Sequence, residues 1–142
     1  MTAFFLGLLA VPLVDQAVKI ALLRRLDARS SIRLGLLGQL RIVRTQMWIL
    51  RGAGAPSLPV LWGMWGLAAA VLTWLSSLVP AFGIFAGLLA GASLSHALET
   101  SVRGCVCDYV CLRFWPAFNL ADVALTAGAM GTLSLLVTIA RT

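Results

Sequence analysis

The chain has little with which to do polar chemistry. Its 142 residues include five acids, one histidine and three cysteines. With His96 as the only histidine and no Gly-x-Ser-x-Gly elbow, no Ser-His-Asp arrangement can be assembled. A glycine-rich phosphate loop is also missing. The cysteines, Cys105, Cys107 and Cys111, are odd in number, and the first two stand too close in sequence to bridge comfortably, which excludes a disulfide framework. They lack the paired Cys-x2-Cys knuckles of a zinc site, and His96 falls on a preceding apolar segment, so small apolar filler is their expected role and no metal is expected.

Charge is scarce as well: 11% of residues are charged and 61% are hydrophobic, outside the range of soluble globular domains. The composition is that of an integral membrane protein. A formal net charge of +6 raises the question of nucleic acid, but the arginines are separated by apolar runs of hydrocarbon length and no aromatic-interleaved basic patch occurs. No nucleic acid is expected as a partner; membrane lipid headgroups are the expected counter-charge.

What is present is a succession of apolar runs near the roughly 20 residues that cross a bilayer. Four spans are expected, at about 3–23, 58–79, 81–98 and 120–140, in one domain covering 1–142. The first is expected to stay in place, because its length, internal charges and lack of a small-residue cleavage site argue against a removable signal peptide. Within it Asp15 and Lys19 lie four apart, acid first, the favourable order for an ion pair on one helical face. Residues 24–57 carry seven arginines against Asp27 alone, and the partial alternation of 31–43 predicts short strands turning at Leu34-Gly-Leu-Leu-Gly: a small β-rich extramembrane cradle. Met47-Trp48-Ile49-Leu50 reads as an apolar patch at the membrane interface. Pro80 ends the second span, and a tight helical hairpin follows. Gly83, Gly87 and Gly91 give the third span a smooth face for close packing. Residues 99–119 read as a loop.

Between the third and fourth spans stand three of the five acids, two of them in apolar surroundings: Val-Cys-Asp108-Tyr-Val and Phe-Asn-Leu-Ala-Asp122-Val. An acid at or near lipid is costly and reads first as functional. Asp108 is expected on a short strand or extended segment and Asp122 in the first turn of the last span. Two carboxylates that approach within hydrogen-bonding distance share a proton, which is the machinery of an aspartic protease. The plainer alternative has Asp122 capping a helix and Asp108 solvated in a loop.

These residues resemble the signal peptidase II (lipoprotein signal peptidase) family. The resemblance rests on Asp15-Gln16-Ala17-Val18-Lys19 in the first span, Val106-Cys107-Asp108-Tyr109, and Phe118-Asn119-Leu120-Ala121-Asp122 preceded by Pro116-Ala117. It implies four transmembrane helices with the cradle, a catalytic pair Asp108 and Asp122, and Asn119, His96 and Ala121 orienting the pair or binding substrate. Asp15 and Lys19 would form a structural polar pair. The implied activity is removal of the signal peptide from diacylglyceryl-modified prolipoproteins, on the N-terminal side of the lipidated cysteine, at the outer face of the bacterial inner membrane. No cofactor is implied, and cyclic lipopeptide inhibitors are implied as ligands. Two family patterns differ: His96 stands where the family has Asn and Thr100 where it has Arg, and the first-loop motif is absent near Thr45-Gln46-Met47-Trp48. A non-catalytic or retuned relative that binds signal peptides, lipoproteins or a lipopeptide inhibitor therefore stays open, as does a proton-coupled transporter or assembly subunit. Arginine counts, nine on the side of the loops and one at the carboxyl end, point the loops to the cytoplasm. The resemblance places them outside, with both termini in the cytoplasm.

Overall fold

The computed structural model describes residues 1–26, 30–45 and 57–141. Among the described residues, four helices are long and apolar enough to cross a membrane: α1 (Thr2–Arg25), α2 (Leu58–Leu78), α3 (Gly83–Arg103) and α4 (Leu120–Ala140). A 3-10 turn, Pro80–Phe82, joins α2 to α3, as expected of a proline that cannot extend the preceding helix. The strands are β1 (Ile32–Arg33), β2 (Gly38–Thr45) and β3 (Val106–Leu112), in one antiparallel sheet ordered β1-β2-β3. The protein is thus a mainly helical, multi-pass membrane protein with a small sheet at one end of the bundle. The 47–50 patch and most of the expected first-loop motif lie outside the described residues.

Helix α3 sits at the centre and packs on α1, α2 and α4. Close contact is a matter of backbone against backbone. A Cβ at Gly7 would lie 2.7 Å from the Gly87 carbonyl carbon, and Cβ atoms at Gly87 and Gly91 would run into the Phe4 and Gly7 carbonyl oxygens. The expected smooth glycine face is therefore the α1–α3 seam, with Gly83 peripheral to it, where a Cβ meets only the Phe4 nitrogen at 3.8 Å. Between helices that pack in lipid, such small-residue contacts supply the van der Waals attraction that hydrophobic burial supplies in water.

The β1–β2 turn falls at the expected 34–38 stretch, where Gly35 takes φ +77 and Leu34 N–H donates to the Gly38 carbonyl at 2.8 Å. Two expectations need correction. The third span does not stop at 98: α3 runs to Arg103, ending where Gly104 adopts φ +69 as a left-handed cap. Nor is 99–119 a loop throughout, because Val106–Leu112 pairs with β2, in register Leu40 to Val110 and, past a bulge, Val43 to Asp108. The β-branched and aromatic Val-Cys-Asp-Tyr-Val suits a strand, and β2 offers it an edge.

Burial follows from this docking. Cys107 is buried on β3, and desolvation, reinforced by the negative charge of Glu99, pushes its thiol up to about 12. Its pKa is raised above the ordinary 9.0, so the fold favours the neutral thiol, and the associated stability declines as pH climbs from about 9 towards 12. Alkylation at pH 8 should modify Cys105 and Cys111 well before Cys107, as peptide mass spectrometry will show; equal rates refute the buried placement. For the helix seam, Gly87→Ala and Gly91→Ala should each lower the thermal midpoint in detergent, because the clash outweighs the roughly 1 kcal/mol of helix propensity that alanine adds. Gly83→Ala should be neutral or stabilising.

Candidate active site

The fourth span begins where Asn119, with extended φ −129 and ψ 179, caps it. Asn119 Oδ1 accepts from Asp122 N–H at 3.0 Å, and Asp122 Oδ2 accepts from Asn119 N–H at 2.9 Å, a reciprocal capping box. The two amides between are also held. Leu120 N–H donates to Tyr109 Oη at 3.0 Å, and Ala121 N–H to Asp15 Oδ1 at 3.3 Å. Every amide from 119 to 122 thus finds a side-chain oxygen, drawn from α1, β3 and α4 itself.

This cap brings the two acids to one residue. The Asn119 side chain is fully buried, and its Nδ2 donates to Asp108 Oδ1 at 2.7 Å while its other end engages Asp122. Asp108, on β3, is buried; Asp122 keeps 38% of its side chain exposed. From α3, His96 Nε2 stands 3.2 Å from Asp122 Oδ1, while its Nδ1 is buried with no hydrogen-bond partner among the described residues. Beside Asp122 an apolar cleft of about 330 Å³ runs along α4, lined by Trp115, Phe118, Val123, Thr126, Ala127 and Met130. A partly exposed carboxylate at the mouth of an apolar cleft, tied through one asparagine to a buried carboxylate, can hold and pass a proton to a polar group on an otherwise apolar ligand.

Ala121 contributes through its backbone and through packing, its methyl group buried with Val11, Ala92 and Ala124. Tyr109 remains a neutral phenol: burial pushes it up to about 12, and its oxygen serves the Leu120 amide.

Below the cap lies a buried chain of charges. Lys19 Nζ is 2.8 Å from Asp15 Oδ2, the pair expected from spacing, and also donates to Glu99 Oε2 at 2.5 Å. Arg103 Nη1 donates to Glu99 Oε1 at 2.7 Å, and Ser95 Oγ to Asp15 Oδ2 at 2.6 Å. Glu99, Arg103, Ser95 and Tyr109 were not singled out by sequence reasoning. A signal existed in Ser95, Glu99 and Arg103, which recur every four residues on one face of α3, matching the Asp15–Lys19 spacing on α1.

Comparison with known proteins bears on family and fold. Residues 8–139 match the family model described as signal peptidase (SPase) II. A lipoprotein signal peptidase of Methylobacterium radiotolerans is 30% identical over 163 aligned positions, covering 94% of this chain and 86% of that protein. One from Syntrophomonas wolfei is 34% identical over 64 residues, a match spanning 45% of this chain and 43% of that relative's length. Among solved structures, a bacterial membrane enzyme determined by the in meso method superposes with a TM-score of 0.80 at 17% identity, covering 97% of this chain and 89% of that one. A second, likewise a bacterial membrane enzyme, gives 0.81 at 16% identity, covering 96% and 93%. These two speak to the fold, and the match over 8–139 speaks to descent: the chain belongs to the signal peptidase II family.

Proposed function

We propose that this protein is an aspartic endopeptidase that cuts diacylglyceryl-modified prolipoproteins on the N-terminal side of the lipidated cysteine, at the outer face of the bacterial inner membrane. The observation that carries the reading is Asn119, which hydrogen-bonds Asp108 through its amide nitrogen and Asp122 through its oxygen and backbone. Asp122, the more exposed acid and the one lining the cleft, is assigned as the base, and buried Asp108 as the acid. Water loses a proton to Asp122 as its oxygen attacks the scissile carbonyl carbon, and Asp108 gives its proton to the carbonyl oxygen. Collapse of the gem-diol breaks the C–N bond: the proton on Asp122 passes to the departing amine, and one hydroxyl returns its proton to Asp108 as the carboxyl group forms. The cleft along α4 takes apolar parts of the substrate beside the reacting bond.

One observation favours the second reading, a relative that binds lipoproteins or lipopeptide inhibitors and cleaves slowly or not at all. His96 occupies one oxygen of Asp122 and so competes with water for it.

Gel-shift cleavage of a lipidated prolipoprotein separates the two. Asp108→Asn and Asp122→Asn should each cost about 10²- to 10⁴-fold in turnover, the range for losing an acid or base, while leaving the fold intact. The double variant should be little worse than either single, since members of one catalytic unit are not additive. Turnover retained in both single variants would falsify the dyad. Under the second reading the unaltered chain retains substrate without product, and His96→Asn restores cleavage.

For His96 itself, replacement by Asn should raise turnover of a lipidated prolipoprotein. An unchanged rate excludes it from the chemistry.

Orientation is tested by cysteine labelling at Ser31, exposed at the start of the sheet, in a background with the native cysteines replaced. An impermeant reagent added outside intact inner-membrane cells should label it. Labelling only after permeabilisation overturns the outer-face assignment.

A further inference from the structure

Three arginines on the sheet face one cleft. Arg33 on β1, Arg41 on β2 and Arg113 just past β3 line an open hollow of about 600 Å³, together with Gln39, Leu36 and Trp115. Strand register explains the convergence: Arg33 lies opposite Gln39, and Gln39 opposite Cys111, so all three project to one side. Arg41, at the bulge after Leu40, and Arg113, one residue past β3, line the same hollow. Among the described residues no ion pair joins any of these arginines to an acid. Positive charges gathered in a concave site with no acid beside them among the described residues favour an anionic occupant.

The direction of this face narrows the choice. Cys107 and Tyr109 occupy the same side of β3, and both are buried against the helix ends, Cys107 beside Glu99 and Tyr109 on the first turn of α4. The arginine side of the sheet therefore continues into the packing against the helix ends. Two loop tips rim it with large apolar side chains in the open: Leu36 at 95% exposure on the β1–β2 turn and Phe114 at 89% after β3, next to Trp115. Arginine beside exposed leucine and tryptophan is the composition of a surface resting in the headgroup region.

We infer that this cleft binds an anionic glycerophospholipid, its phosphodiester gripped by Arg33, Arg41 and Arg113 and its acyl chains running past Leu36 and Trp115. A guanidinium fork matches two phosphate oxygens in a way that ammonium cannot. Free phosphate accounts for the arginines but not for the apolar rim. An acidic peptide accounts for the charge but not for Leu36 and Phe114 standing in the open at the rim. Trp115 also lines the cleft beside Asp122, so the bound lipid is a neighbour of the candidate active site. Lipid binding here is independent of whether the two acids cut a peptide.

The test is native mass spectrometry of lipid retained by the protein from nanodiscs containing equal phosphatidylglycerol and phosphatidylcholine. The unaltered chain should retain phosphatidylglycerol in preference. Each of Arg33→Gln, Arg41→Gln and Arg113→Gln should weaken the preference about fivefold, and the triple variant on the order of a hundredfold. Arg41→Lys, which keeps the charge and loses the fork, should fall between. Arg24→Gln with Arg25→Gln, in the exposed last turn of α1, should leave the preference in place. Equal retention of both lipids by the unaltered chain overturns the proposal. So does an equal loss in the Arg24/Arg25 control, which reduces the effect to diffuse attraction, and so does displacement of all bound lipid by inorganic phosphate or an acidic peptide.

Discussion

The first turn of α4 is the constraint on which the site depends. A helix end leaves its leading amides without intrahelical partners, and at the edge of hydrocarbon water cannot be relied on to replace them. In this chain Asp122, Tyr109, Asp15 and Asn119 take those amides in turn. Satisfying the backbone and assembling the candidate site are consequently one event. The cap draws Asp15 of α1 and Tyr109 of β3 to the start of α4, and the Asn119 side chain, already fixed by the capping box, has its amide nitrogen left for Asp108.

Asp15 can serve that amide only because its own charge is answered. Asp15, Lys19, Glu99 and Arg103 alternate in sign, two from α1 and two from α3, so the buried chain is formally neutral. Burying each ion costs several kcal/mol, and a network of this kind adds little net stability. What it adds is register. Sliding α3 along α1 by one residue would part Lys19 from Glu99 and drive a Cβ-bearing residue into the backbone contact at Gly87 and Gly91. Packing and charge select the same alignment of the two helices, and that alignment puts His96, one turn before Glu99, on Asp122.

Local features were legible in the sequence and long-range ones were not. The spans follow from apolar runs, the β1–β2 turn from Gly35, the Asp15–Lys19 pair from its spacing, and the place of Asp122 from a capping pattern. The third strand was half visible, since Val-Cys-Asp-Tyr-Val suits a strand but nothing in it names β2 as the partner. Glu99 was missed as a partner for Lys19 because the two lie 80 residues apart and Lys19 already had a local acid. The link between Asp108 and Asp122 was open on spacing, because it runs through a side chain, Asn119, whose reach in both directions exists only once β3 docks beside α4.

The arginine count and the proposed outward orientation conflict only if every arginine is a free loop charge. Arg103 is not free: it is paired with Glu99 inside the polar network. Arg33 and Arg41 belong to a folded sheet, and with Arg113 just past it they line one hollow. The positive-inside bias is counted over Lys and Arg in short loops flanking spans, and domains translocate largely regardless of their charge. Anionic lipid is available to the sheet on whichever side it lies, so its charge does not choose the leaflet. Under the proposed chemistry the choice falls to the substrate, whose scissile bond has to reach Asp108 and Asp122 from the side on which its lipidated cysteine emerges.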